Sequence, residues 1–212
     1  MVDSTDQSTE SDISPEPPDS LIHTAGTDHI TLVGSNEAET IAFYRDVLGM
    51  SLVLRQPNLD APDVTHLFFD TGDGRMLTFF VTDQRDSHEG PQRPPVGGVH
   101  HLAFRLEPER FLEARTSLTE EGYQVNEFDR GAFHSLYTRD HNGLTIELTT
   151  EPYRIPDDRR GEVLATAHRI RTEEGAQNVE TDHIESALTE LGIPIKQYGH
   201  PQAESGEEIS ND

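Results

Sequence analysis

Between residues 27 and 150, polar and apolar positions alternate in short runs, and two stretches with helical spacing interrupt them. His29, Thr31 and Val33 alternate with Ile30 and Leu32, the period of a half-buried strand. Ser35 or Asn36 can cap the helix that follows, where Ile41, Tyr44 and Leu48 recur on one face and Gly49 suits the C′ position. Strand patterns return in MSLVLRQ, VTHLFFDT and RMLTFFVTD, with TGDGR marking a hairpin between the last two. The same order then recurs. VHHLAFRL, with His101 standing 72 residues after His29, is a strand. EPERFLEARTSLTEEG is a helix with Pro108 in its first turn, Phe111, Ala114 and Leu118 on one face, and Gly122 at its end. YQVNEFD, FHSLYTRD and LTIELTTE are three more strands, with DHNG as the turn between the last two.

This repeat predicts an α+β fold of two βαβββ modules, residues 26–90 and 91–152. One module leaves a sheet face uncovered, and two can close into a partial barrel around a cup. Residues 153–202 read as a helical extension. Val163, Ala167 and Ile170 recur in one helix, and Ile184, Ala187, Leu188 and Leu191 in the next. Asp182 with Glu185 resembles a capping box. These helices are expected on the core or on a second subunit, which leaves room for a homodimer. Residues 1–25 and 203–212 are rich in Ser, Asp, Glu and Pro, and are expected to be disordered.

Composition narrows the partners. Asp and Glu total 40 against 16 Lys and Arg, a net charge of −24. Lys196 is the single lysine. Such a surface repels nucleic acid and anionic membrane. Acid excess with almost no lysine fits a salt-accumulating halophile, where ionic strength screens self-repulsion. The chain has no cysteine, so it has no disulfide and no thiolate ligand or nucleophile. No apolar run approaches the ~20 residues that span a bilayer. The acidic start has no apolar signal core, so a cytoplasmic location is expected.

The candidate chemistry comes from equivalent positions in the two copies. His29 opens the first strand of one and His101 that of the other. In the last strand Thr145, Glu147 and Thr149 share one face, opposite Leu144, Ile146 and Leu148. If the apolar face meets the helix, His29, His101 and Glu147 point into one space. Two imidazoles and a carboxylate with open positions are the ligand set of non-haem Fe(II) oxygenases, and Mn(II) or Zn(II) accept it too. In the first copy the position matching Glu147 is Thr78, a poor fourth ligand. His66 is as well explained by packing as by lining the cup, and the parity of His134 with Tyr137 turns it away.

The βαβββ repeat, FYRDVLGM in the first helix, THLFFDTGDGRMLTFF, VHHLAFR and FDRGAFHSLYTRDHNGLTIELTTEP resemble the vicinal oxygen chelate superfamily. Within it they look most like the hydroquinone-type ring-cleaving dioxygenases, over residues 27–152. The resemblance implies a metal at His29, His101 and Glu147, and roles near the substrate for His100, Arg130 and Tyr137. It implies a small dihydroxylated aromatic substrate, such as a hydroquinone or catechol, cleaved with O2. Arg130 would hold an anionic oxygen and Tyr137 would donate a hydrogen bond. Strict alternation would turn His100 away from His101, so a bulge after Gly97-Gly98 is needed to re-aim it. The chain departs from the pattern twice. Asp28 stands where the group often has a further histidine, and there are two βαβββ units rather than four. A glyoxalase-like lyase or isomerase, and a bleomycin-resistance-like binding protein, share the same repeat.

Overall fold

The computed structural model describes residues 13–88 and 90–198. Residues 13–25 are exposed and form neither helix nor strand, and 203–212 lie outside the described residues. The first repeat gives β1 (His29–Val33), α1 (Glu37–Ile41, running on into a π-helical turn Ala42–Val47), β2 (Ser51–Pro57), β3 (Thr65–Asp70) and β4 (Met76–Val81). The second gives β5 (His101–Arg105), α2 (Pro108–Glu120), β6 (Asn126–Asp129), β7 (His134–Arg139) and β8 (Thr145–Thr150). A 3₁₀ turn (Asp157–Arg159) leads into α3 (Arg160–Glu173), and α4 (Thr181–Glu190) follows. The strands form two four-stranded sheets in matching orders, β1-β4-β3-β2 and β5-β8-β7-β6. Neither is a closed barrel. β1 runs parallel to β4, while β2, β3 and β4 are antiparallel neighbours.

Asn36, not Ser35, caps α1, its Oδ1 accepting from the Glu39 N–H at 2.9 Å. Ser35 is buried and donates to Asn142 Oδ1 at 2.6 Å. The π-helical turn adds a residue to the last turn of α1. It brings Phe43 beside Tyr44 into the core and leaves Leu48 only partly covered. The exposed strand β1, with Val33 at 70% accessibility, is the edge of its sheet rather than a half-buried strand.

The chain divides into two compact units that do not follow the repeat boundary. One holds residues 20–102 with 138–147. In its core Leu67, Phe69, Leu77, Phe79 and Val81 of β3 and β4 bury against Phe43 and Tyr44. Each such side chain contributes about 1.5–3 kcal/mol on leaving water. The Tyr44 hydroxyl donates to Asp140 Oδ2 at 3.0 Å, while Asp140 Oδ1 accepts the N–H groups of Asn142 and Leu144. Burial first, then the Asp140 charge, pushes the Tyr44 phenol well above its usual pKa. Asp140 therefore both builds the DHNG turn and ties it to α1, which explains why residues 138–147 belong to this unit.

Among the described residues, the other unit holds 13–19, 103–137 and 148–198. On α2, Phe111 and Leu118 are buried. A separate apolar cluster joins Ala132, Tyr153, Ile155, Val163, Ala167, Ile184, Ala187, Leu188 and Ile193. The cap of α4 is shifted from the expected Asp182 and Glu185. Glu180 accepts from the His183 N–H, and His183 Nδ1 accepts from the Glu180 N–H at 2.8 Å. Glu185 instead accepts from the Tyr153 hydroxyl at 2.5 Å, which pushes the Tyr153 pKa up to about 12. No helix among the described residues is long and apolar enough to cross a membrane.

Candidate metal centre

β5 and β8 are neighbours in the second sheet, and β8 alternates as its sequence predicts. Leu144, Ile146 and Leu148 are buried on one side, and Glu147 lies on the other. His101 Nε2 and Glu147 Oε2 stand 3.0 Å apart. Two donors each about 2.1 Å from a common ion, at right angles, stand about 3 Å apart. The pair therefore fits one small divalent cation. Without one, a proton between them serves.

His100 needs no bulge to reach this pair. It precedes the first residue of β5, so strand alternation does not bind it. Its Nδ1 lies 2.8 Å from His101 Nδ1, one nitrogen donating and the other accepting. When the His101 proton sits on Nδ1, it is held by His100 and Nε2 is an acceptor for a cation, the arrangement that orients metal-bound histidines.

His29 opens β1, and its Nδ1 is 2.6 Å from the Asp28 carboxylate. Asp28 thus does at His29 what His100 does at His101. Sequence reasoning recorded Asp28 as a departure and missed that a carboxylate can orient a histidine as well as another imidazole can. His29 is not drawn to the His101–Glu147 pair: among the described residues, no three His, Asp or Glu side chains gather closely enough to hold an ion.

Thr78 is fully buried and donates to Thr31 Oγ1 at 2.7 Å. The strand register places His66, opposite Phe80, on the same face as His29, opposite Met76. The His66 ring packs on Phe68 and Phe80, with centroids 4.1 and 4.4 Å away. Its Nε2 is buried without a hydrogen-bond partner among the described residues. Burial, and then the nearby His29, lower the His66 pKa.

Arg130 and Tyr137 lie in the other unit. Arg130 Nη1 donates to the Tyr137 hydroxyl at 3.1 Å. Its guanidinium sits 5.2 Å over Phe128 and 5.8 Å over Tyr137. In the β6–β7 register Asn126 pairs with Tyr137 and Phe128 with Ser135, so Phe128 and Tyr137 share a face. Phe128 was not singled out in the sequence, because a lone aromatic in a short edge strand carries no pattern. His134 faces the other way, with Nε2 2.7 Å from Glu127 and its ring on Phe111.

The sequence profile of the Glyoxalase/Bleomycin resistance protein/Dioxygenase superfamily matches residues 26–148. The chain belongs to this superfamily. The match covers both βαβββ units and stops before α3 and α4. Two curated relatives from Bacillus subtilis (strain 168) are similar over shorter stretches. One, named "Putative ring-cleaving dioxygenase MhqE", is 38% identical over 60 residues, 27% of this chain and 20% of the relative. The other, "Putative ring-cleaving dioxygenase MhqA", is 28% identical over 114 residues, 53% of this chain and 35% of the relative. The aligned part of the superfamily member thus spans about a third or less of those proteins. A crystal structure of a "putative dioxygenase" from the same bacterium superposes with a TM-score of 0.51 at 25% identity, covering 59% of this chain and 40% of that one. A glyoxalase/dioxygenase from Nostoc punctiforme shares the fold, with a TM-score of 0.50 at 21% identity over 64% and 99% of the two chains.

Proposed function

We propose that the protein is a metal-dependent ring-cleaving dioxygenase acting on a small dihydroxylated aromatic, a hydroquinone or a catechol. The observation that carries this reading is the His101–Glu147 pair at 3.0 Å on adjacent strands, with His100 behind it. The names of the curated relatives support it. His101 and Glu147 supply two donors, and His29, oriented by Asp28 and standing apart from the pair, would close on a bound ion as the third. The set of two imidazoles and one carboxylate suits Fe(II), and accommodates Mn(II) or Zn(II). When bound, the ion supplies a seat for a deprotonated hydroxyl oxygen and for O2, and a route for electron density between them.

The chain's own groups do the rest. Glu147 and the neutral imidazoles offset the charge of a divalent cation without filling its coordination shell. His100 exchanges a proton with His101 at Nδ1, which gives an acid–base group beside the pair. In the other unit, Arg130 polarises the Tyr137 hydroxyl, a donor suited to an anionic oxygen, and Phe128 beside it offers an aromatic ring a face to pack on. Both atoms of O2 enter the product, so the reaction needs no outside reductant.

Protein purified anaerobically in high salt and loaded with Fe(II) should consume one O2 per hydroquinone or catechol cleaved, with loss of the aromatic absorbance. Glu147→Gln should bind at least 10-fold less metal and lose activity in proportion. Full metal content and activity in that variant would remove Glu147 from the site. Tight Zn(II) with no oxygen uptake on either substrate would replace the dioxygenase with a lyase or isomerase.

A further inference from the structure

We propose that the C-terminal helix pair α3–α4, which lies beyond the superfamily match, is a brace that fixes the Arg130 turn, and that Gly131 and Ala132 are positioning residues acting through it. The proposal rests on the reading above, in which Arg130 and Tyr137 form a donor site for an anionic oxygen. The turn joining β6 to β7 is short and closed on itself. The Arg130 N–H donates to the Phe133 carbonyl at 2.9 Å, and the Ala132 N–H to the Arg130 carbonyl at 3.0 Å. The Gly131 N–H donates to Asp129 Oδ1 at 2.9 Å. Such a turn sends its side chains in two directions. Arg130 goes over the Phe128 and Tyr137 rings. Ala132, 3% exposed, goes into the apolar cluster with Val163 and Ala167 of α3 and Ile184 and Leu188 of α4, and Phe133 packs against the same cluster.

Gly131 sits where the turn meets the start of α4. Its φ of +73° favours glycine, and a Cβ there would lie 3.5 Å from Thr181 Oγ1. The two ends of the turn are coupled by its hydrogen bonds. The Arg130 backbone cannot move away from Tyr137 without withdrawing Ala132 from the helix core or opening the turn. The brace accounts for a feature the βαβββ repeat leaves unexplained. Among the described residues the Arg130 guanidinium is held by a phenol and two rings, not by a carboxylate, in a chain with 40 acids.

The test compares Gly131→Ala and Ala132→Val, each alone and with Arg130→Ala, together with Leu188→Ala on the helix side. Two readouts are taken: oxygen uptake with hydroquinone, and hydrogen exchange of the turn amides. Each single variant should raise KM on the order of 10-fold with a smaller fall in kcat. In the Arg130→Ala background Gly131→Ala and Ala132→Val should add nothing. Amides 130–132 should exchange on the order of 10-fold faster, while those of Leu136 and Tyr137 stay protected. Additive losses in the Arg130→Ala background, or unchanged exchange in the turn, would overturn the brace. If the parent protein consumes no oxygen, the dioxygenase reading falls, and the exchange data alone decide whether α4 holds the turn.

Discussion

At the residue scale, the two histidines that open matching strands carry different escorts. His101 has an imidazole at Nδ1 and His29 a carboxylate. A carboxylate behind a ligand raises its basicity, and removing such partners typically costs 10–100-fold in metal affinity. Asp28→Asn should therefore weaken Mn(II) binding by about 10-fold, measured by anaerobic calorimetry, and an unchanged affinity would leave Asp28 without that role. His101 and Glu147 were legible because strand alternation places them on neighbouring strands, whereas His100, which precedes β5, was not. The escort of His29 was not, because it depends on a rotamer of an exposed side chain. His66 is a second case. Its unpartnered, buried Nε2 is invisible in a sequence that reads only "THLFF". Burial lowers the folded pKa of His66 and of His141. Below the ordinary histidine pKa of about 6.5 the unfolded chain takes up protons that the folded chain refuses, so stability is lost as pH falls through that range. His66→Phe, which keeps the packing on Phe68 and Phe80, should lose less of its urea midpoint between pH 7.5 and 5.5 than the parent does. Parallel curves for the two proteins would show that His66 does not contribute.

At the element scale, α1 and α4 show where periodicity suffices and where it stops. The spacing of Ile41, Tyr44 and Leu48 located α1, but a π-helical turn moved the buried face toward Phe43. Such a turn has no apolar signature of its own. The cap of α1 was narrowed to two residues by sequence and resolved by the partners of Ser35 in the DHNG turn. Asn36→Ala should cost about 1 kcal/mol, read as a fall of about 2–4 °C in Tm. Ser35→Ala should cost more than an exposed serine would, since it leaves Asn142 Oδ1 short of a buried donor. For α4, both ends of the predicted helix were near the mark, yet the reciprocal cap formed two residues earlier, at Glu180 and His183. Sequence reading expected an acid at the third helical position, where a histidine nitrogen does the same work.

For the whole molecule, charge is the dominant fact. A net charge of −24 on 212 residues repels itself at low ionic strength, and the acids outnumber the cations that could pair them. At 1 M salt the Debye length is about 3 Å, and that repulsion is largely screened. Raising KCl from 0.1 to 2 M should lift Tm by about 10 °C, corresponding to roughly 3–5 kcal/mol for a chain of this size. A Tm that falls or stays flat over that range would remove the halophilic reading of the composition. The repeat, the order of strands and the two extra helices were all legible, because each rests on a period that recurs. The partition into units was not. It follows from Asp140 tying the DHNG turn to Tyr44, a contact between residues 96 apart in sequence.

The proposed activity requires His101, Glu147 and His29 to serve one divalent cation. A titration of Mn(II) into metal-free protein in 2 M KCl, followed by electron paramagnetic resonance, measures this without assuming a substrate. One tightly held Mn(II) per chain is expected, weakened at least 10-fold by each of His101→Ala, Glu147→Gln and His29→Ala. Binding that survives all three substitutions, or no binding by the parent protein, would contradict it.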